Sequence, residues 1–202
     1  MKMKRVNTKR RVLLAMLSGI LLVMSFTPLG YLNIGPLAIS LNMIPVAIGA
    51  VALGPGGGAF LGAVFGITSC LQCVGIGGTS AMGVILFEIS PVLTIIQRFV
   101  TRVLAGWLTG VVYRGLRRQH ISCATYVAGF GAALFNTIFF MAALVLLFGQ
   151  TEYLQGLIAG RNILVFALSF VGINALVEML AATVTVGAVC KALEKLKMIG
   201  GK

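Results

Sequence analysis

FEISPVLTIIQRFVTRVLAGWLTGVVYRGLRR, residues 87–118, decides the fold of this chain. The run is apolar from its start near Glu88 and ends in a basic cluster. At about 1.5 Å of rise per residue, a helix from Glu88 to Arg114 spans roughly 39 Å, enough to cross a hydrocarbon core ~30 Å thick. Arg98 and Arg102 sit inside the run, one helical turn apart and on one face. Arg98 falls roughly 15 Å along such a helix from Glu88, near mid-membrane. A cation at that depth costs at least ~2.5–3.5 kcal/mol on insertion, so an intramembrane arginine is a functional candidate by default.

Working outward, composition agrees. Of 202 residues, 59% are hydrophobic and only 10% charged, whereas soluble domains carry about 25% charged residues. An integral membrane protein follows. The net charge of +12 does not signal nucleic-acid binding, because the sixteen Lys and Arg residues cluster at span ends, where they set orientation.

The chain reads as an all-α bundle, a single membrane domain over 1–202 with six transmembrane helices at about 12–26, 39–53, 59–71, 87–113, 126–148 and 162–189. MKMKRVNTKRR followed by VLLAMLSGILLVMSF looks like a secretory signal but lacks a small-residue cleavage site, so it is expected to remain as the first span. TPLGYLNIGPLA (27–38) carries turn chemistry and no charge, which predicts a loop or re-entrant cap. Gly54-Pro55-Gly56-Gly57-Gly58 predicts a tight break, and 72–83 a second uncharged loop. A short basic helix, KALEKLK, is expected to close the chain. Lys and Arg gather in the N-terminus, in the loop holding Arg114, Arg117 and Arg118, and in the C-terminus. With six spans these three segments share one side, so both termini are expected in the cytoplasm.

Small residues recur every four positions: Ala15 and Gly19, then Gly58, Gly62 and Gly66, then Gly106 and Gly110. Such rows let membrane helices approach closely. On the third and fourth spans they predict packing within the bundle; on the first span a partner subunit is an equal reading.

Taken in order, these features resemble the substrate-binding S components of energy-coupling factor (ECF) vitamin transporters. The resemblance rests on the basic N-terminus, the Ala-xxx-Gly row, the uncharged loop, the paired spans LNMIPVAIGAVALGPGGGAFLGAVFGITS, and the arginine helix ending in RVLAGWLTGVVYRGLRR. Within the family, GITSCLQCVGIGGTSAMGVILFEISPVLTIIQRFVTR is most similar to the pantothenate-specific members. The resemblance implies a six-helix protein of a bacterial plasma membrane that captures a vitamin from outside. It also implies association with a transmembrane EcfT subunit and two cytoplasmic ATPases, with Ala15 and Gly19 in the positions of the family's docking row. A pocket between the outer halves of helices four to six, capped by the loops after helices one and three, is implied as well. S components for riboflavin, folate or pyridoxine remain alternatives within the family; riboflavin would demand aromatic stacking, and the outer halves are poor in Trp and Tyr.

The residues lead to the same region. Polar groups within spans must face one another or a cavity, and they are few: Asn42, Gln72, Glu88, Gln97, Arg98, Arg102, Asn136, Asn174 and Glu178. Glu178, one turn from Asn174, can answer Arg102 as a structural tie between helices. Arg98 is then the ligand's counter-charge, since a guanidinium grips a carboxylate with two parallel bonds. Pantothenate carries a carboxylate, two hydroxyls and an amide, which suits one arginine with Asn and Gln side chains. Asn136 follows as a candidate, with Gln72, Asn42, Tyr31, Asn33, Asn174, Gln97 and Glu88 as further pocket or lid residues.

Other signals carry no chemistry. Cys70-Leu-Gln-Cys73 has no second pair or nearby histidine, so no metal is expected; its outer position permits a disulfide, but a CxxC turn is strained and none is expected. No Lys-Ser/Thr follows the glycine run, so no phosphate-cradling loop forms and no ATP hydrolysis is expected of this chain. No cofactor is expected. Against the vitamin-binding subunit stand two other classes. An autonomous secondary transporter or channel would favour inverted repeats, and no second half matches the first. An intramembrane enzyme is disfavoured, with four acids and one histidine for chemistry.

Overall fold

The structure is a computed structural model that describes residues 2–28, 30–33, 38–77, 80–160 and 162–196. Its elements are α1 (Lys2–Ser25), β1 (Tyr31–Asn33), β2 (Ala38–Ser40), α2 (Met43–Leu53), α3 (Pro55–Cys73), α4 (Ala81–Ile89), α5 (Pro91–Arg118), α6 (Ala124–Phe148), α7 (Glu152–Ile158) and α8 (Ile163–Lys195). Among the described residues the protein is helical apart from a two-stranded antiparallel ribbon, with Tyr31 opposite Ser40 and Asn33 opposite Ala38. Pro55–Cys73, Pro91–Arg118, Ala124–Phe148 and the Asn174–Lys195 part of α8 are long and apolar enough to cross a membrane.

Several expected boundaries move. The helix predicted through 87–113 is two helices: α4 ends at Ile89, and α5 starts at Pro91. Pro91 fits the first turn, where its missing N–H is no loss, while the residue before a proline is driven out of the helical region. Ser90 accordingly sits extended at φ −157°, ψ 104°. Glu88 therefore does not share a helix with Arg98. Only Gly54, at φ 84°, breaks the α2–α3 corner; Pro55 to Gly58 already belong to α3. The segment 27–38, expected as a loop, contributes the ribbon, and α2 begins only at Met43. KALEK continues α8 rather than forming a separate helix, and α7 was not anticipated at all.

The glycine rows set the tightest contact. A Cβ at Gly58 would collide with the Gly106 carbonyl, and one at Gly62 with the Arg102 carbonyl. One at Gly66 would press on Phe99, and one at Gly110 on Pro55. The paired numbers run in opposite directions, so α3 and α5 lie antiparallel with backbones touching, the close approach that small residues permit. On the far side, Gly129 of α6 packs on Ala182 of α8.

Two apolar clusters fill the interior. One gathers Leu17, Leu21, Val46, Leu61, Phe65, Ala105, Tyr113, Ala128 and Val186. The other gathers Met82, Leu86, Met141, Leu144, Phe148, Leu154, Ile158 and Phe166. Along α5, Leu93 packs on the second cluster and Ala105 belongs to the first. Between them lie Thr94, Gln97, Arg98, Thr101 and Arg102, all buried. A polar layer thus separates two greasy ones.

Candidate functional site

Arg98 is the centre of that layer. It is 5% exposed, and its Nη1 and Nη2 donate to Ser69 Oγ and Ser80 Oγ, each at 3.0 Å. Ser69 comes from the last turns of α3, and Ser80 caps the N-terminus of α4, where its hydroxyl also accepts the Gly83 N–H at 3.3 Å. Gly83 is where α4 must lack a side chain: a Cβ would lie 2.6 Å from Arg98 Nη2 and 2.9 Å from Cys73 Sγ. Both of the guanidinium's partners are neutral, and its Nε is buried without an acceptor. No carboxylate among the described residues lies within ion-pair reach of it. A buried cation is thus hydrogen-bonded but not neutralised. Burying a charge without a counter-charge costs several kcal/mol even after relaxation, so an anion at this point would be strongly favoured.

Arg102 is handled differently. Its guanidinium lies between two rings, 5.0 Å from the Phe65 centroid and 5.6 Å from that of Phe140. Its Nη1 donates to the Arg98 carbonyl at 3.0 Å and to Thr101 Oγ1 at 3.2 Å. Aromatic faces and carbonyls stabilise a desolvated guanidinium. Glu178, 9% exposed on α8, feels the Arg102 charge, and its Oε1 accepts the backbone N–H of Ser40 in β2 at 2.6 Å.

The remaining candidates divide. Gln97 is fully buried, with neither Oε1 nor Nε2 partnered, and Asn136 Oδ1 is likewise buried and unpartnered. Such orphaned amides are rare in a finished core and call for a ligand or water. Asn42, expected within the second span, stands at the N-cap of α2, buried with both amide atoms unpartnered. Gln72 is in use, its Nε2 donating to the Ser25 carbonyl at 2.8 Å and tying α3 to the end of α1. Asn174 is half-buried and partnered. Glu88 is exposed near the end of α4. Tyr31 and Asn33 lie in β1, and their side chains fall outside the described residues. Ala15 and Gly19 are exposed on α1, with nothing within 4 Å of where a Gly19 Cβ would stand.

Sequence reasoning missed Ser69, Ser80, Gly83, Phe65 and Phe140. A Phe pair that clamps a guanidinium gives no signal in a chain with twelve phenylalanines. Ser80, by contrast, was legible: a serine at the start of an apolar run is a favoured N-cap.

Fold and site together define a helical membrane protein built around a buried cationic layer. Residues 9–189 match the family described as "ECF transporter, substrate-specific component", and the chain belongs to that family. Among its relatives, the Pantothenate transporter PanT of Leuconostoc mesenteroides subsp. mesenteroides is 27% identical over 192 residues, covering 91% of each chain. The Pantothenic acid transporter PanT of Lactococcus lactis subsp. cremoris is 26% identical over 208 residues, covering 96% of this chain and 97% of its own.

Proposed function

We propose that this chain is the pantothenate-binding S component of an ECF importer, with Arg98 as the receptor for the vitamin's carboxylate. The observation that carries the reading is the Arg98 guanidinium itself, buried and, among the described residues, hydrogen-bonded only to the hydroxyls of Ser69 and Ser80. The unpartnered amide of Gln97 and Oδ1 of Asn136 offer donors and acceptors for the ligand's amide and hydroxyls. Asn42, Asn174, Tyr31 and Asn33 serve at the ribbon or α8 side of the same pocket. The structural tie of Arg102 runs to Glu178.

The chain crosses the membrane six times, through α1, α2, α3, α5, α6 and α8, with both termini in the cytoplasm. At 11 residues α2 is only about 17 Å long, short of a ~30 Å core. Its burial at Met43 and from Pro45 to Val51 makes that length tolerable, because a helix enclosed by protein need not match the lipid thickness. Ala15 and Gly19 form the smooth face of α1 on which an EcfT subunit docks, and two partner ATPases supply the energy; this chain performs no catalysis.

Calorimetry on the purified protein tests the reading. Pantothenate is expected to bind, while panthenol, in which a neutral alcohol replaces the carboxylate, binds at least 30-fold more weakly, the low end of losing a buried charge partner at about 1.4 kcal/mol per tenfold. Equal affinity for the two, or preference for riboflavin, folate or pyridoxine, overturns it.

A further inference from the structure

The first turn of α4 is pressed onto the Arg98 guanidinium. Arg98 Nη2 donates to the N-cap hydroxyl of Ser80 at 3.0 Å, and a Cβ at Gly83, in the same turn, would lie 2.6 Å from that nitrogen. Two positive ends therefore meet. A helix N-terminus carries roughly half a positive elementary charge, and Arg98 brings a whole one to a site where it is only 5% exposed. Free donors converge there as well. The Ser80 hydroxyl accepts the Gly83 N–H, but the N–H groups of Ala81 and Met82, at the first two helical positions, have no carbonyl in their own helix to meet. Arg98 Nε is buried without an acceptor, and the acceptors of its other nitrogens among the described residues are two uncharged hydroxyls. A guanidinium and a helix N-terminus forced together in a dry layer are both stabilised by one anion held between them.

We propose that the junction of Arg98 with the α4 N-terminus is a halide site: a small monovalent anion such as chloride binds there in the unliganded protein, and the vitamin's carboxylate displaces it. Vitamin binding is then an exchange of one anion for another, and the halide concentration sets the apparent affinity. The exchange rests on the ligand reading above; the halide site itself does not. The class of anion follows from the chemistry. The cost of stripping water from an ion rises with its charge, so a monovalent anion enters a low-dielectric layer more readily than sulfate or phosphate. A spherical ion also accepts donors from any direction, which suits groups contributed by three elements: Ser69 on α3, Ser80 with the first turn of α4, and Arg98 on α5.

Bromide is the probe, with sulfate holding the ionic strength constant. Thermal unfolding of the purified protein in detergent needs no vitamin. Once bromide exceeds its own Kd, each further tenfold is expected to raise the folded-to-unfolded ratio about tenfold, as one-site binding to the folded state requires. Arg98→Gln should lose this rise. Ala81→Pro deletes one helix N–H and keeps the helix, because proline suits the first position and Ser80 is already extended at φ −91°, ψ 102°. It should weaken bromide binding about 10- to 100-fold, the range for one hydrogen bond to a charged group. Calorimetry then follows the exchange: the apparent Kd for pantothenate should rise about tenfold per tenfold of bromide in the same range, the limit for two ligands competing for one site. A bromide effect that is absent from wild type or persists in Arg98→Gln overturns the site, and so does a full effect in Ala81→Pro. Stabilisation by bromide with an unchanged pantothenate Kd overturns the exchange. Stabilisation that depends on Arg98, with no pantothenate binding at any bromide concentration, keeps the halide site and sinks the vitamin assignment instead.

Discussion

Replacing Arg98 with glutamine separates binding from folding in a way few substitutions can. In the unliganded protein, Arg98→Gln removes two hydrogen bonds from a charged donor, to Ser69 and Ser80, each worth about 1.5–3 kcal/mol. It also removes a buried, un-neutralised charge whose desolvation is of the order of several kcal/mol. The two quantities are of similar size and opposite sign, so the unliganded variant is expected to melt close to the wild-type temperature. Binding should fall. Taking away one member of a buried charge pair costs about 2–5 kcal/mol, a loss of roughly 30-fold to several thousandfold in affinity. The assay is thermal unfolding in detergent with and without saturating pantothenate, alongside calorimetric titration. The expected pattern is an unliganded melting temperature that changes little, together with a vitamin-induced rise that disappears. A variant that binds normally would refute the assignment of Arg98. A variant that unfolds well below wild type would refute the argument that its charge is uncompensated.

Ser69→Ala and Ser80→Ala leave the charge but unfix its direction; each should weaken pantothenate binding by up to about 10- to 100-fold, the range for one hydrogen bond to a charged group, as read by calorimetry. Gly106→Val forces a side chain into the Gly58 carbonyl, where backbone faces backbone and no rotamer offers relief. The usual overpacking penalty of about 1–3 kcal/mol translates into a melting temperature roughly 2–12 °C lower for a chain of this size, measured in the same detergent. Ala15→Leu with Gly19→Leu meets open space at Gly19, so vitamin binding by the purified protein should persist while uptake by cells expressing EcfT and the ATPases is lost; unchanged uptake would place the docking face elsewhere.

The arginine pair, the glycine rows and the order of apolar runs were readable because each depends on residue type and spacing alone. Gly58, Gly62 and Gly66 recur every four residues, and the partner row on α5 differs only in supplying Arg102 and Phe99 where its spacing leaves the pattern. What the spacing does not encode is which polar side chain meets which. Ser69 and Arg98 are 29 positions apart, and Ser40 and Glu178 138 apart. Nothing local distinguishes these serines from the other serines of the chain. Gln72 shows the converse. Its position in a predicted outer loop suggested the pocket, yet α3 extends through Cys73, and that turn aims the amide at the end of α1 instead.

The break at Ser90–Pro91 has the largest consequence for the site, and its signal was present as a serine–proline step inside an apolar run. An unbroken helix would put Glu88 about 15 Å from Arg98 on the same rod, too far to neutralise it and with no reason for the chain to turn back. The break instead frees α4 to return over α3 and α5, so that Ser80 and Gly83 reach the guanidinium while Glu88 is left exposed. A short second helix thereby delivers a neutral cap to Arg98 in place of an acidic one. A carboxylate at Ser80 would satisfy the arginine permanently and leave no charge for a ligand to meet. A hydroxyl holds the same geometry, accepts one guanidinium N–H, and keeps the positive charge available, which is the property an anion receptor in a low-dielectric layer requires.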